Sequence, residues 1–339
     1  MRPGASRRGE EGLITARALC ATAILTVAAA AVVPRPATAC SICRCGDPAF
    51  NALGLNIYNP ESFRLALDWS RFDKSQGIGA WGSEGSESVV ENRLTATLSY
   101  SPSDVVTLFA QVPYASRQLA SEPDVAAGHA LRAPGEGHGD PTTGRGLGDP
   151  ELYALLRVWA APFASGLGRR AWVGAQLGVK TPWGANDLRA GGVRLDEHAQ
   201  PGTGSTDWIA GAAGVYVLDP SSSLFGSLQY RRTGSNTFGY RYGNVTLGNL
   251  GYEHKLGSAL DAVLELNYRH AGEDRVDEGG TLDPNTGGGV LYVTPKVVVN
   301  LSRSLVARVS AQIPVVRSLN GVQTERTVWG AGLTYIFGG

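Results

Sequence analysis

Long hydrophobic runs are almost missing from this chain. The one extended apolar stretch is Ala18–Val33, short for a membrane-spanning helix, which needs about 20 residues. A bundle of membrane helices is therefore excluded. Charge of one sign is lacking too: 30 Lys and Arg balance 30 Asp and Glu, and charged residues make up only 18% of the 339. That balance offers no basic footprint for a nucleic-acid partner. Cysteine is scarce, at four residues, whereas glycine reaches 45. The length admits two soluble domains or one large barrel.

What the chain does have is a repeat. From about Phe63 to the C-terminus, runs of roughly ten residues alternate apolar and polar side chains, separated by connections alternately short and long. In the first run Phe63, Leu65, Leu67 and Trp69 share one parity, and Arg64, Ala66, Asp68 and Ser70 the other. Because a strand flips its side chains at every residue, one face is apolar and the other polar or small. A soluble sandwich shows similar alternation. Strand length, the rhythm of the connections and an export signal together point instead to an outer-membrane β-barrel, with lipid outside and a polar lumen inside.

The export signal is residues 1–39. Arg2, Arg7, Arg8 and Arg17 precede Ala18–Val33, then come Pro34-Arg35-Pro36 and an A-x-A cleavage site, Ala37-Thr38-Ala39, before Cys40. This order is that of a secretory signal peptide. Gly9-Glu10-Glu11 does not suit a twin-arginine signal, and a barrel must cross the inner membrane unfolded, so Sec export is expected. Residues 40–60 then form a periplasmic cysteine-containing segment, and residues 61–339 the barrel.

Strands are expected near 61–73, 89–100, 105–117, 149–160, 171–183, 205–218, 224–233, 242–253, 259–270, 289–301, 305–315 and 326–337. Tight connections of Ser, Pro, Asp and Gly, such as Ser101–Asp104 and Ser302–Ser304, supply turn geometry at little steric cost. Long segments lie at 74–88, 118–148, 184–204, 234–241, 271–288 and 316–325. Short turns to the periplasm and long loops to the exterior give an antiparallel up-and-down barrel of about twelve strands with both ends in the periplasm.

Lipid-facing parity runs through Leu94, Ala96 and Leu98, through Val173, Ala175, Leu177 and Val179, and through Leu305, Ala307, Val309, Ala311 and Ile313. The eighth strand, around Asn244–Tyr252, fits either parity. Trp69, Tyr114, Trp208, Tyr230, Tyr268 and Trp329 gather toward the long-loop side, and Tyr100, Tyr216, Tyr335 and Phe337 toward the short-turn side. Amphipathic rings favour the headgroup region, so two such belts suit a barrel. The closing Tyr335-Ile336-Phe337 resembles an outer-membrane assembly signal, although Gly338 and Gly339 follow it.

The opposite parity supplies candidate pore-lining residues: Arg64, Asp68, Arg93, Arg157, Lys180, Arg231, Glu265, Arg269, Lys296 and Arg308, with Glu151 and Asp261 as further acids. Buried charge is costly unless paired or wetted, so the interior is hydrated or salt-bridged. A twelve-stranded barrel falls between a filled small barrel and an open porin, which favours a narrow passage. The mild excess of cations favours anionic or electron-rich solutes. The other reading is a charge ladder that plugs the barrel and transports nothing.

Several local sequences now resemble a known family. Gly146-Leu147-Gly148-Asp149, Gly178-Val179-Lys180-Thr181-Pro182, Gly202-Thr203-Gly204-Ser205-Thr206-Asp207 and Gly330-Ala331-Gly332-Leu333-Thr334-Tyr335 stand in an order and spacing similar to the outer-membrane transporters of the MetA-pathway of phenol degradation family. The resemblance covers roughly residues 60 to 339. It implies a channel-like barrel associated with uptake of small hydrophobic or aromatic compounds, and supplies no catalytic residues.

The mature cysteines Cys40, Cys43 and Cys45 form a C-x-x-C-x-C run. Such a run can gather thiolates on one soft metal ion, as Cu(I) or Zn(II), or form a disulfide with one thiol over. Acylation of Cys40 is a third reading, though Ala37 stands where lipoprotein signals usually carry Leu. Arg44 occupies the place where covalent haem needs His. The segment could also dock a periplasmic partner. Apart from that soft metal, no cofactor is expected.

Catalysis is not expected. His270 has the parity and height of a lipid-facing base, but its neighbours are expected to be Tyr242-Gly243-Asn244 and Val290-Leu291-Tyr292, with no Ser in reach. His129 and His138 read as solvated loop residues. The chain is therefore expected to be a bacterial outer-membrane channel whose partners are lipid and small solutes. The rival reading is metal handling or sensing through the N-terminal thiols.

Overall fold

The computed structural model describes residues 63–78, 85–123, 142–162, 169–276 and 279–337. The expected export signal (residues 1–39), residues 40–60 with Cys40, Cys43 and Cys45, and His129 and His138 lie outside the described residues.

Twelve long strands form the wall: β1 (Phe63–Ile78), β2 (Gly85–Tyr100), β3 (Val106–Pro123), β4 (Glu151–Pro162), β5 (Arg169–Lys180), β6 (Asp207–Asp219), β7 (Ser222–Arg232), β8 (Val245–Lys255), β9 (Leu260–Ala271), β10 (Gly288–Asn300), β11 (Leu305–Leu319) and β12 (Val328–Phe337). Each pairs antiparallel with its neighbours in chain order. The cylinder closes where β12 meets β1, in register from Phe63↔Phe337 to Arg71↔Trp329. Closure gives each of the twelve wall strands a partner on both sides, the condition for a sheet to sit in hydrocarbon.

Burial follows the alternation and inverts the usual order of a soluble protein. Leu177 and Leu228 are 56% and 60% exposed on the outside, while Glu265 and Arg269, facing inward, are 3% and 1% exposed. The outward rings expected at the membrane boundaries are exposed as well, among them Trp69, Tyr114, Trp208, Trp329, Tyr216 and Tyr335. In β8 the ambiguity resolves: Val245, Leu247 and Asn249 face inward and buried, and Leu250 and Tyr252 outward.

Several segments expected as loops are strand. β1 and β2 run on to Ile78 and Gly85, which pair, so most of 74–88 belongs to the wall. β3 continues to Pro123, and a short strand, Thr142–Leu147, returns along it with Tyr114 opposite Leu147. β11 reaches Leu319, and Gln323–Glu325 pairs with Lys74–Gln76 of β1. The reason is physical: above the lipid both faces become polar, so hydrophobic alternation fades while backbone pairing continues.

The interior also departs from the expected polar lumen. Phe109, Tyr153, Leu155, Trp172, Ala213, Val215, Phe225 and Val263 all carry inward parity and pack into one buried apolar cluster. It lies toward the periplasmic end of β3 to β7 and extends to β9. Phe109 and Tyr153 stack with ring centroids 4.5 Å apart.

Candidate functional site

The charged side of the interior is a set of pairs. On β1 and β11 Arg308 Nε lies 3.0 Å from Asp68 Oδ1, and its Nη1 donates to Thr334 Oγ1 at 2.6 Å. Lys296 of β10 binds Glu265 of β9, which also accepts from Asn249 and Asn267. Arg231 pairs with Glu151 at 2.8 Å, and Arg269 with Glu325 at 2.6 Å. Arg93 lies 2.6 Å from Glu91. Arg157 stands over the Trp172 ring at 5.4 Å. Arg64 is inward and buried, and Asp261 accepts from Asn300. The interior thus carries both kinds of lining: charged pairs with their hydrogen-bond partners on β1, β2, β4 and β7 to β12, and an apolar, aromatic cluster on β3 to β7 and β9.

Lys180 belongs to a different construction. At the exterior ends of β5 and β6 it lies 3.1 Å from Asp149 and 3.2 Å from Asp207, and it binds Thr203. Asp149 Oδ2 also accepts the backbone N–H groups of Thr203 and Gly204, and its Oδ1 that of Gly184. Burial pushes the Asp149 carboxyl up, but Lys180 and the Thr203 hydrogen bonds outweigh it and hold the carboxyl below its usual range. Gly204 takes φ +67° here, and a Cβ would stand 1.6 Å from Asn186 Nδ2; only glycine fits. Three glycine-rich motifs distant in sequence therefore meet at one buried hub.

That hub roots the loop of residues 181–206, which folds back over the inner wall. Arg117 of β3 binds Glu91 at 2.5 Å and donates to the Gln200 carbonyl at 2.6 Å. His198, on the short 3-10 turn Glu197–Ala199, places Nδ1 2.8 Å from Glu87 of β2 and 3.1 Å from Asp196. Leu195 and Ala199 pack in one cluster with the inward-facing Phe72, Val89, Leu119 and Val328 and with Tyr240 and Tyr242 of the next exterior loop. Tyr240 is held by Asp274 at 2.6 Å. Two loops thus cover part of the exterior mouth with an apolar underside.

Asp196 is half-exposed, at 52% of its side chain, yet stands in a crowded part of the mouth. Its desolvation raises the carboxyl, but His198, through charge and two hydrogen bonds, and then Arg194 bring it down to about 2. The donor atoms of Glu87, Asp196 and His198 lie within 4.8 Å of one another, close enough to gather a cation. His198 joins the two carboxylates, so the group is read as a latch between the loop and β2.

Sequence reasoning missed Glu91, Arg117, Glu87, His198, Lys74 and Glu325. Glu91 and Arg117 have lumenal parity and could have been found by it. The others stand in segments read as loops. Inward aromatics such as Phe109, Tyr153 and Phe225 carried a signal, being apolar on the polar parity. His270 sits opposite Thr246 and Gly289, not the neighbours expected from the sequence. No hydrogen bond joins His270 to Thr246 among the described residues.

A closed, antiparallel twelve-stranded cylinder with an apolar exterior and a charged and aromatic interior defines an outer-membrane β-barrel channel. The family model for the MetA-pathway of phenol degradation matches residues 112–319, and the chain belongs to that family. The fold is similar to an outer membrane channel from Pseudomonas putida F1, with TM-score 0.58 and 13% identity over 83% of this chain and 97% of that one. The toluene transporter TodX of Pseudomonas putida aligns at TM-score 0.36 and 10% identity, covering 83% of this chain and 90% of its own. The monoaromatic hydrocarbon channel CymD aligns at 0.38 and 8%, covering 82% and 89%. No curated protein matches the sequence.

Proposed function

We propose that this outer-membrane barrel passes small apolar or aromatic solutes along the boundary between its aromatic wall and its charge ladders. The single observation that carries the reading is the inward apolar cluster around Phe109, Tyr153, Trp172 and Phe225. Small hydrated anions gain nothing from aromatic rings on the lumenal parity, whereas an apolar solute is stabilised when it leaves water to lie beside them. The paired charges Asp68, Arg93, Arg231, Glu265, Arg269, Lys296 and Arg308, with Arg64 and Arg157, act as the polar lining. The protein reaches the membrane through Sec export and performs transport without catalysis.

The test is solute flux into proteoliposomes containing the mature protein. Entry of a benzene-ring solute well above that of a neutral sugar of similar size supports the reading. Equal entry of both, or none of either above empty liposomes, refutes it.

A further inference from the structure

On the outer surface, near the periplasmic turns, strands β4 to β7 form an apolar groove of 390 Å³. Its position follows from register. One outward row runs Trp159, Val173, Gly214, Gly226, and the next runs through Tyr216 and Leu224. All these positions alternate with the inward Trp172, Val215 and Phe225, so the groove lies between two rows on the lipid side. The cross-strand glycines leave its floor bare, while Trp159, Val173 and Tyr216 stand up around it, each exposed.

Arg170 closes the periplasmic end. Its guanidinium lies 5.3 Å from the Tyr216 ring centroid, and no carboxylate partners it among the described residues. An exposed cation at headgroup height, seated on a boundary tyrosine and without a carboxylate partner among the described residues, calls for an external anion. The adjoining groove is apolar and opens to the bilayer. The two features together match one molecule, with an anionic phosphate at one end and a hydrocarbon chain at the other.

We propose that this groove binds a glycerophospholipid of the periplasmic leaflet, with an acyl chain over Gly214 and Gly226 and its phosphate on Arg170. The site is independent of what passes through the lumen. A second copy of the chain is the other occupant such a face could take, but an Arg on each copy, with no carboxylate partner among the described residues, would bring like charges together.

Native mass spectrometry of the detergent-purified mature protein, titrated with dioleoyl phosphatidylglycerol or dioleoylglycerol, tests the proposal. The expected result is one retained phosphatidylglycerol, with affinity for the neutral diacylglycerol weaker by about tenfold, the scale of one charge-assisted contact. Arg170→Gln should bring the two lipids to the same weak affinity. Val173→Trp, which fills the groove without altering the backbone, should abolish retention of both. Heat-modifiable migration on gels checks that each variant is folded, and Arg170→Gln, being a surface change, serves if Val173→Trp does not fold. Equal retention by the wild type and folded Arg170→Gln, or a dimer peak lost in Val173→Trp with no lipid bound, would overturn the assignment.

Discussion

Lys180 stands 3.1 Å from Asp149, a residue 31 positions earlier, and both are nearly buried at the root of the mouth-covering loop. The same ammonium meets Asp207, so one cation compensates two carboxylates. Removing it leaves both anions in a dry site, and breaking a buried pair costs about 3–5 kcal/mol. Lys180→Met should therefore lower the urea midpoint of the folded barrel in detergent micelles. An unchanged midpoint would refute the hub as an anchor.

Acid should loosen the mouth. Asp196 is held at about 2, below its ordinary 3.8. A carboxylate with a depressed folded value stabilises above the ordinary value, and that contribution is lost as pH falls from about 3.8 through about 2. Conductance of the reconstituted channel should rise across this window, as loss of the Asp196 contact loosens the turn that holds His198 against Glu87. Asp196→Asn should remove this part of the pH step. A pH response identical to the wild type would rule Asp196 out of the latch.

Gly332 is fixed by close approach. A Cβ there would stand 2.3 Å from Asp68 Oδ1 and 2.8 Å from Arg308 Nε. Gly332→Val should split that pair and cost about 3–5 kcal/mol. The control is Gly248→Ala, whose Cβ would meet only Tyr268 Cβ at 3.7 Å. Thermal unfolding of the two variants should differ clearly; similar melting would show the Asp68–Arg308 pair to be dispensable.

Phe225 stands within the aromatic wall. Phe225→Gln should slow flux of an aromatic solute by about tenfold, the scale of one lost aromatic contact, while leaving ion conductance near that of the wild type. Slowing of both alike would point to a general change in the barrel.

Much of this is legible in the sequence. Residues such as Leu94, Leu98 and Leu177 announced their face because strand alternation is strictly local. The charged residues Arg231, Glu265 and Lys296 announced theirs for the same reason. Glu87 and Lys74 did not, since the segment holding them is polar on both faces and carries no period to read. The aromatic wall was hidden by an assumption: Phe109 and Phe225 interrupt a parity expected to be polar throughout.

The sequence by itself determined the closed cylinder, its twelve strands and its lipid-facing side, because alternation and turn chemistry are properties of adjacent residues. Only the tertiary structure decided that Asp149, Lys180, Thr203 and Asp207 share one hub and that His198 reaches Glu87. Those meetings depend on strand register and on the path of a long loop, and both are set by contacts between residues far apart in the chain.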